Sequence, residues 1–371
     1  MKTIPKKPMK MRYRLLILAV TFLLPAELLI GQAFSEKKTF RETMPVNKDM
    51  TLEMDNKYGT IHITSWNKDS VEIRVEVEAS SSDLGRLDKM FRGVDVNISG
   101  TGYLVRAHTS FTQNITMLFE SFKGLTSKLI PYESRIQINY FVNAPEYLDM
   151  RITNKYGDVY MENNTGNLSL NLSNGAFKAN MLNEAIGLDL VFCDATVNKI
   201  NRGRLNTSFC EVEIDESRDL SITSVSSKFY LEKTGNLNTE SRRDEFFLGT
   251  VSSLRGNSYF SDFRIDELQK EINVITKYGD LDTKFISKGI EMVTINSGYT
   301  DISLAFDKSV SYNLDIRHIN AFLVLPENEA KLEKKVLNED KKEYMTFGTV
   351  GRNPGNIKVM IDATRGNIYL K

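Results

Sequence analysis

From about residue 150 onward apolar and polar residues alternate in short runs, and the runs recur every 17 or 18 residues. The tripeptide Lys-Tyr-Gly, at 57–59, 155–157 and 277–279, sets the phase. Counted from Gly157, equivalent marker positions fall at Gly175, Cys193, Cys210, Ser227, Asp244, Ser261 and Gly279. Two residues past each marker stand Val159, Phe177, Ala195, Val212, Phe229, Phe246, Phe263 and Leu281, all apolar. Four past it stand Met161, Ala179, Val197, Ile214, Leu231, Leu248, Ile265 and Thr283. Seven before it stand Met150, Leu168, Ile186, Gly203, Leu220, Leu237, Leu254 and Ile272. Three such columns are not expected by chance in a chain that is 41% hydrophobic.

Alternation with period 2 is the signature of a strand with one buried face. The longer period returns each strand beside its predecessor, about 4.8 Å along an axis. Asn, Gly and Ser collect between the runs, as at 163–166 and 233–236, where tight corners need residues tolerant of left-handed conformations. Helical coils would need apolar residues at i, i+3 and i+4 instead. The expected fold is all-β: a parallel β-helix, or β-solenoid, with a less regular, strand-rich N-terminal capping region.

The repeat loosens toward both ends, with 59–63 as an early coil and 301–304, 322–325 and 366–370 as late ones. Atypical terminal coils are expected because an open solenoid end is an unpaired sheet edge. Residues 71–77, 103–107 and 136–142 read as further strands and 83–91 as a helix. The segment 117–129, with Leu118, Phe119, Phe122 and Leu125, reads as an amphipathic helix or a loop, and the charge-dense segment 327–343 as a solvated helix or loop. The expected organisation is a signal over 1–33, a capping region with the first coil over 34–146, and the repeat array over 147–371 with 327–343 inserted.

The N-terminus has the three zones of a secretory signal. Lys2, Lys6, Lys7, Lys10, Arg12 and Arg14 supply charge, 15–24 an apolar run, and Gly31-Gln32-Ala33 a small-x-small cleavage site. The run is about half of the roughly 20 residues that a spanning helix needs. Cleavage after Ala33 would remove six basic residues and one acidic one and leave a net charge of −5, which is not the balance of a nucleic-acid binder. The expected location is therefore export to the periplasm, outer cell envelope or cell surface, with no integral membrane segment after cleavage. The end at Lys371 without a barrel-like tail disfavours a self-translocating protein.

Asn56-Lys57-Tyr58-Gly59-Thr60-Ile61-His62-Ile63, the run Ile138-Asn139-Tyr140-Phe141-Val142-Asn143-Ala144-Pro145 before the second Asn-Lys-Tyr-Gly, and the closing Phe347-Gly348-Thr349-Val350-Gly351 and Arg365-Gly366-Asn367-Ile368 carry a resemblance. The chain resembles the adhesin-like domains of unknown function of bacterial envelope proteins, of Bacteroidetes type, related to the autotransporter adhesin head (GIN) domain. The resemblance covers nearly the whole chain after the signal. It implies a β-helical fold and an envelope or surface location, and it carries over no catalytic residues.

Four constellations could hold chemistry. One residue past the markers lie Asp158, Asp194, Glu211, Glu245, Asp262 and Asp280, which alternation places on the outer face. Stacked carboxylates repel, so they are expected to be solvated or paired with bases such as Lys228, Arg243 and Arg264; a shared calcium is the alternative, though the calcium-binding nonapeptide repeat is absent. One residue before the markers lie Tyr156, Phe192, Phe209, Phe260 and Tyr278, with Tyr58 and Tyr299 near equivalent places. A bend after this position would stack them inside as a core ladder; a straight strand would expose them as a stripe for sugars or a partner. Since large exposed apolar patches are unusual without a ligand, the core ladder is favoured. Cys193 and Cys210 hold the marker in successive coils, within Cα reach of a disulfide but with rather distant Cβ atoms, so buried free thiols are favoured. His62, His108 and His318 are scattered without metal-type spacing.

No nucleophile elbow, phosphate loop or dinucleotide fingerprint is present. The expectation is a non-catalytic, cofactor-free and metal-free interaction protein of the envelope or surface, adhesin-like, whose solenoid flank binds a protein or glycan and no nucleic acid. The alternatives are a periplasmic scaffold or envelope-signalling accessory, and a polysaccharide-active β-helix enzyme.

Overall fold

The computed structural model describes residues 34–112, 134–326 and 330–371. The signal segment and 117–129 lie outside these. The chain divides into two compact units, a small one built on Glu78–Val94 and a large one of Thr39–Val77, Asp95–Ser110 and Gln137–Lys371. In the small unit the helix Leu84–Arg92 starts where Asp83 accepts a hydrogen bond from the Arg86 backbone N–H at 2.6 Å, and it buries Leu87 and Met90.

The large unit is the expected stack of parallel coils. Strands Glu211–Val225, Lys228–Arg242 and Glu245–Tyr259 pair in register at steps of 17, so that Val212, Phe229, Phe246 and Phe263 fall in one column. That column and the one two residues further on are buried throughout, from Val159 and Met161 to Leu281 and Thr283. Phe229, Phe246 and Phe263 stack in the interior with ring centroids 4.7 and 4.6 Å apart. The third column is broken. Gly203 and Leu220 are register partners as expected, but Ile186 turns outward and is 51% exposed. Ala185 and Leu188 are buried instead, so the strand is out of phase across 185–188 and Gly187 faces open space.

Stack order departs from chain order at both ends. Thr51–Lys57 lies between Leu104–Phe111 and Asp149–Lys155, parallel to both. Likewise Ile61–Trp66 lies between Ser134–Pro145 and the start of Val159–Ser208. At the other end the last coil, Lys358–Thr364 with Asn367–Leu370, inserts between Met292–Phe306 and the pair Tyr312–Ile319 and Phe322–Val324. The strand Glu343–Val350 then adds antiparallel to Tyr312–Ile319, and Ala330–Asn338 adds antiparallel to it. The charged segment expected as a helix or loop is therefore largely this strand. Its residues are exposed on both faces, so no alternation marks it, and Lys331, Glu333, Lys334 and Lys335 give an outer strand the charges that discourage edge-to-edge pairing.

Candidate functional site: an exposed aromatic corner

Each coil turns at the residue before the marker. Among the described residues twelve of these adopt positive φ: Tyr58, Tyr156, Asn174, Phe192, Phe209, Ser226, Arg243, Phe260, Tyr278, Tyr299, Asn320 and Arg365. A single left-handed residue breaks the alternation. In the Cys193 coil Leu190 and Cys193 are buried while Val191 and Phe192, between them, both point outward. The expectation of a core ladder is thus overturned: a bend is present, but it resets the strand so that the aromatic column lies outside the coil. Phe192, Phe209 and Phe260 are 56%, 55% and 53% exposed, and Tyr156, Tyr278 and Tyr299 are exposed as well.

The rings stack along the axis in three runs. Tyr58 and Tyr156 are 5.6 Å apart, Phe192 and Phe209 5.0 Å, and Phe260, Tyr278 and Tyr299 follow at 4.8 and 5.0 Å. The Arg365 guanidinium continues the last run, 4.8 Å over the Tyr299 ring. Within a run the ring faces cover one another and the edges face solvent. Val191, Val225 and Tyr259, one residue earlier in their coils, widen the apolar strip.

The Asn-Lys-Tyr-Gly motif is the chemistry of this corner. The buried Asn154 donates through Nδ2 to the Gly59 carbonyl of the neighbouring coil at 3.0 Å and to the Asp158 carbonyl at 3.1 Å. Gly157 is required because a Cβ there would meet the Gly59 carbonyl oxygen at 2.0 Å. From Cys193 to Ser261 the marker side chain points inward and bonds from coil to coil. Ser227 N–H donates to Asp244 Oδ1 at 2.7 Å, Ser224 Oγ and the Arg242 N–H donate to Asp244 Oδ2 at 2.5 and 2.9 Å, and the Asp244 N–H donates to Ser261 Oγ at 3.2 Å. Burial still pushes the Asp244 carboxyl above the usual range, against these donors.

No protein-family model and no curated protein matches the chain. Solved structures that are similar to it include a candidate cell adhesion protein from Clostridium sporogenes, at 12% identity over 90% of this chain and 100% of that one, with a TM-score of 0.18. Two candidate adhesins are also similar. The one from Parabacteroides merdae has 8% identity over 89% and 96% of the two chains and a TM-score of 0.28. The one from Parabacteroides distasonis has 9% identity over 89% and 97% and a TM-score of 0.27.

The acidic column lies on the outer face, half-buried or exposed. Several members serve the backbone. Asp158 Oδ1 accepts the Ala176 N–H at 2.8 Å and Asp262 Oδ1 the Asp280 N–H at 3.0 Å. Glu245 Oε2 lies 3.9 Å from both Lys228 Nζ and Arg264 Nη1. Burial, reinforced by Asp262 and Asp301, raises Asp280. Among the described residues no group of three or more His, Cys, Asp or Glu could hold a metal ion, and no helix is long and apolar enough to cross a membrane.

Cys193 and Cys210 are both buried and free. Each thiol lies 3.3 Å from two carbonyl oxygens, those of Leu172 and Val191 for Cys193 and of Leu190 and Ser208 for Cys210. The Cys193 thiol and burial together push Cys210 up. The histidines stay apart. His108 Nδ1 is 3.3 Å from Asp55, and the buried His318, lowered by desolvation, faces the Ala321 carbonyl at 3.1 Å. His62 is lowered by desolvation and sits between Phe141 and Tyr160, at 5.3 and 5.0 Å, with the Arg74 guanidinium 4.2 Å over Phe141. Sequence reading missed this second stack, and also Tyr230 on Phe247 at 5.0 Å with Arg264 over it. The signal was available in the column three residues past the marker, where Tyr160, Tyr230, Phe247 and Arg264 recur.

Proposed function

We propose that this chain is a non-catalytic interaction protein of the cell envelope or surface, adhesin-like in action, with the left-handed corner as its contact edge. One observation carries the reading: seven of the twelve corner positions hold Tyr or Phe at φ between +54° and +66°, and six of these seven are exposed. A left-handed conformation costs an ordinary residue about 1–2 kcal/mol, and Gly or Asn would avoid most of that cost. Stacking returns about 0.5–1.5 kcal/mol per pair, enough to tolerate the aromatics but not to prefer them. Exposed apolar runs of this kind are unusual on a surface that meets no partner. The signal-like composition of residues 1–33 supports export to the periplasm, outer envelope or surface.

The test replaces Phe192, Phe209, Phe260, Tyr278 and Tyr299 together by Asn, which suits the corner backbone. Labelled parent and variant proteins are compared for attachment to intact bacterial cells and to purified cell-wall glycans. Loss of attachment with an undiminished melting temperature is expected. A variant that attaches as well as the parent removes the corner from the function. Protease accessibility of an epitope-tagged chain on intact and lysed cells separates a surface location from a periplasmic one.

A further inference from the structure

The out-of-phase stretch at 185–188 opens a cleft of about 610 Å³, lined at its base by Ala185, Ile186, Gly203 and Leu220. Two rows of side chains line it, each spaced by one coil. Arg204, Ser221, Asn238 and Arg255 are successive register partners, and so are Asp219, Asn236 and Ser253.

The commitments of these side chains divide them sharply. Arg202 pairs with Glu184 and Arg255 with Glu271. Asp219 accepts from Arg218 Nε at 2.8 Å and from Asn236 Nδ2 at 2.6 Å, and these two donors hold its carboxyl below the usual range. By contrast Arg204, Ser221, Asn238 and Ser253 have no side-chain partner among the described residues. Some outward asparagines elsewhere on the coils bond to one another or to an acid, as Asn198 does to Asn180 at 2.9 Å, Asn201 to Asn183 at 3.0 Å and Asn206 to Asp189 at 2.6 Å. The cleft therefore combines one uncommitted guanidinium, a row of uncommitted hydroxyl and amide groups, and an apolar floor with the exposed Ile186.

From this arrangement we infer that the cleft binds a carboxylate-bearing sugar chain, a uronate-containing glycan, laid along the solenoid axis. Arg204 takes the carboxylate with its planar fork of donors. Ser221, Asn238 and Ser253 exchange hydrogen bonds with ring hydroxyls, and Ile186 with Gly203 receives the apolar face of a pyranose ring. The coil rise of about 4.8 Å is close to the length of one pyranose residue, so successive sugars meet successive rows. Charge favours a carboxylate over a phosphate monoester. The lining holds Arg202, Arg204 and Arg255 against Glu184 and Asp219, an excess of one positive charge, which matches a monoanion. The site is separate from the aromatic corner and uses none of its residues.

Calorimetric titration with oligomers of galacturonate, mannuronate and glucuronate, each beside its methyl ester, tests the inference. The ester keeps the hydroxyls and removes the charge. At least one acid is expected to bind tenfold or more tighter than its ester. R204M should erase that preference while R204K keeps part of it, and oligoglutamate, with charge but no hydroxyls, should bind at least tenfold more weakly. The inference is overturned if no acid binds, if acid and ester bind alike, if R204M keeps the preference, or if oligoglutamate binds equally well. Arg204 is exposed, so R204M should melt with the parent. The fivefold asparagine variant of the corner should keep uronate binding, which separates a failure here from a failure of the corner as contact edge.

Discussion

Substituting Phe246 and Phe192 separately by Ala measures the assignment of inside and outside. Both are ladder phenylalanines in the repeat, but Phe246 is 1% exposed while Phe192 is 56% exposed. Phe246 stacks between Phe229 and Phe263 at 4.7 and 4.6 Å with planes within 8° and 2° of parallel. Truncating it removes two stacked pairs, about 1–3 kcal/mol together, and leaves a cavity in a closed core. The whole loss should be about 3–5 kcal/mol, the usual range for a buried Phe cut back to Ala. Phe192 stacks on Phe209 alone and leaves no cavity, so F192A should cost no more than about 1.5 kcal/mol. Because coils contact only their neighbours, a solenoid need not unfold in one step. The assay is therefore urea titration followed by circular dichroism, together with native-state hydrogen exchange of the strands Lys228–Arg242 and Glu245–Tyr259. F246A should lower protection in these strands selectively. Equal losses for the two variants, or a larger one for F192A, would refute the faces assigned to the corner.

Gly157→Ala sets a Cβ 2.0 Å from the Gly59 carbonyl oxygen and should destabilise by at least about 1–3 kcal/mol, whereas Gly187→Ala meets nothing within 4 Å and should be neutral or gain about 0.4–1 kcal/mol; paired melting curves decide. Asp244→Asn keeps an acceptor for the Ser227 N–H but turns an amide toward the Arg242 N–H, and should cost about 1–3 kcal/mol in a denaturant titration. The same variant tests the raised carboxyl. The folded state holds the Asp244 proton more tightly than the unfolded chain, so this group's contribution is greatest below the unfolded value of about 3.9 and declines as pH rises toward the folded value. Stability measured against pH in that window should fall less steeply in D244N; an unchanged slope would mean that Asp244 does not carry it. Cys193 and Cys210 should resist an alkylating reagent in the native protein and react on unfolding, and mass spectrometry that finds either labelled natively would contradict their burial.

The fold was legible because its main signal is periodic. The 17-residue step that placed Val212, Phe229, Phe246 and Phe263 in one column is the register step of the strands. Terminal nesting was not legible, because nothing in 358–370 says that it slides between two earlier coils rather than following the last. The strand Ala330–Asn338 was hidden for the opposite reason: a strand with both faces in water has no alternation to read. The corner was half legible. Its residues were found, yet their side was misjudged, because a two-residue outward step around one left-handed φ cannot be told from a continuing alternation by hydropathy alone. Ile186 was misjudged in the same way, as a core residue by column and a surface residue by phase.

These two misjudged places are also where local rules are broken, and the physics of the coil is the reason both are proposed as contact sites. The columns two and four past the marker are apolar or small, and from Gly157 to Gly279 the marker itself is glycine or an inward polar or thiol group that bonds between coils. At the corner the fold demands only a backbone angle. Asn174 and Asn320 meet the same demand as Phe192 or Tyr278 and carry no ring into solvent. The side chain at that position is therefore set by something other than folding, and an exposed aromatic row bears directly on contact. The cleft follows the same logic from the other direction: Ile186 leaves a core column, and beside the opening stand the uncommitted Arg204, Ser221 and Asn238. A sequence that departs from consistency at two sites, while satisfying it across most of the remaining core, concentrates its departures where a ligand or partner could offset their cost.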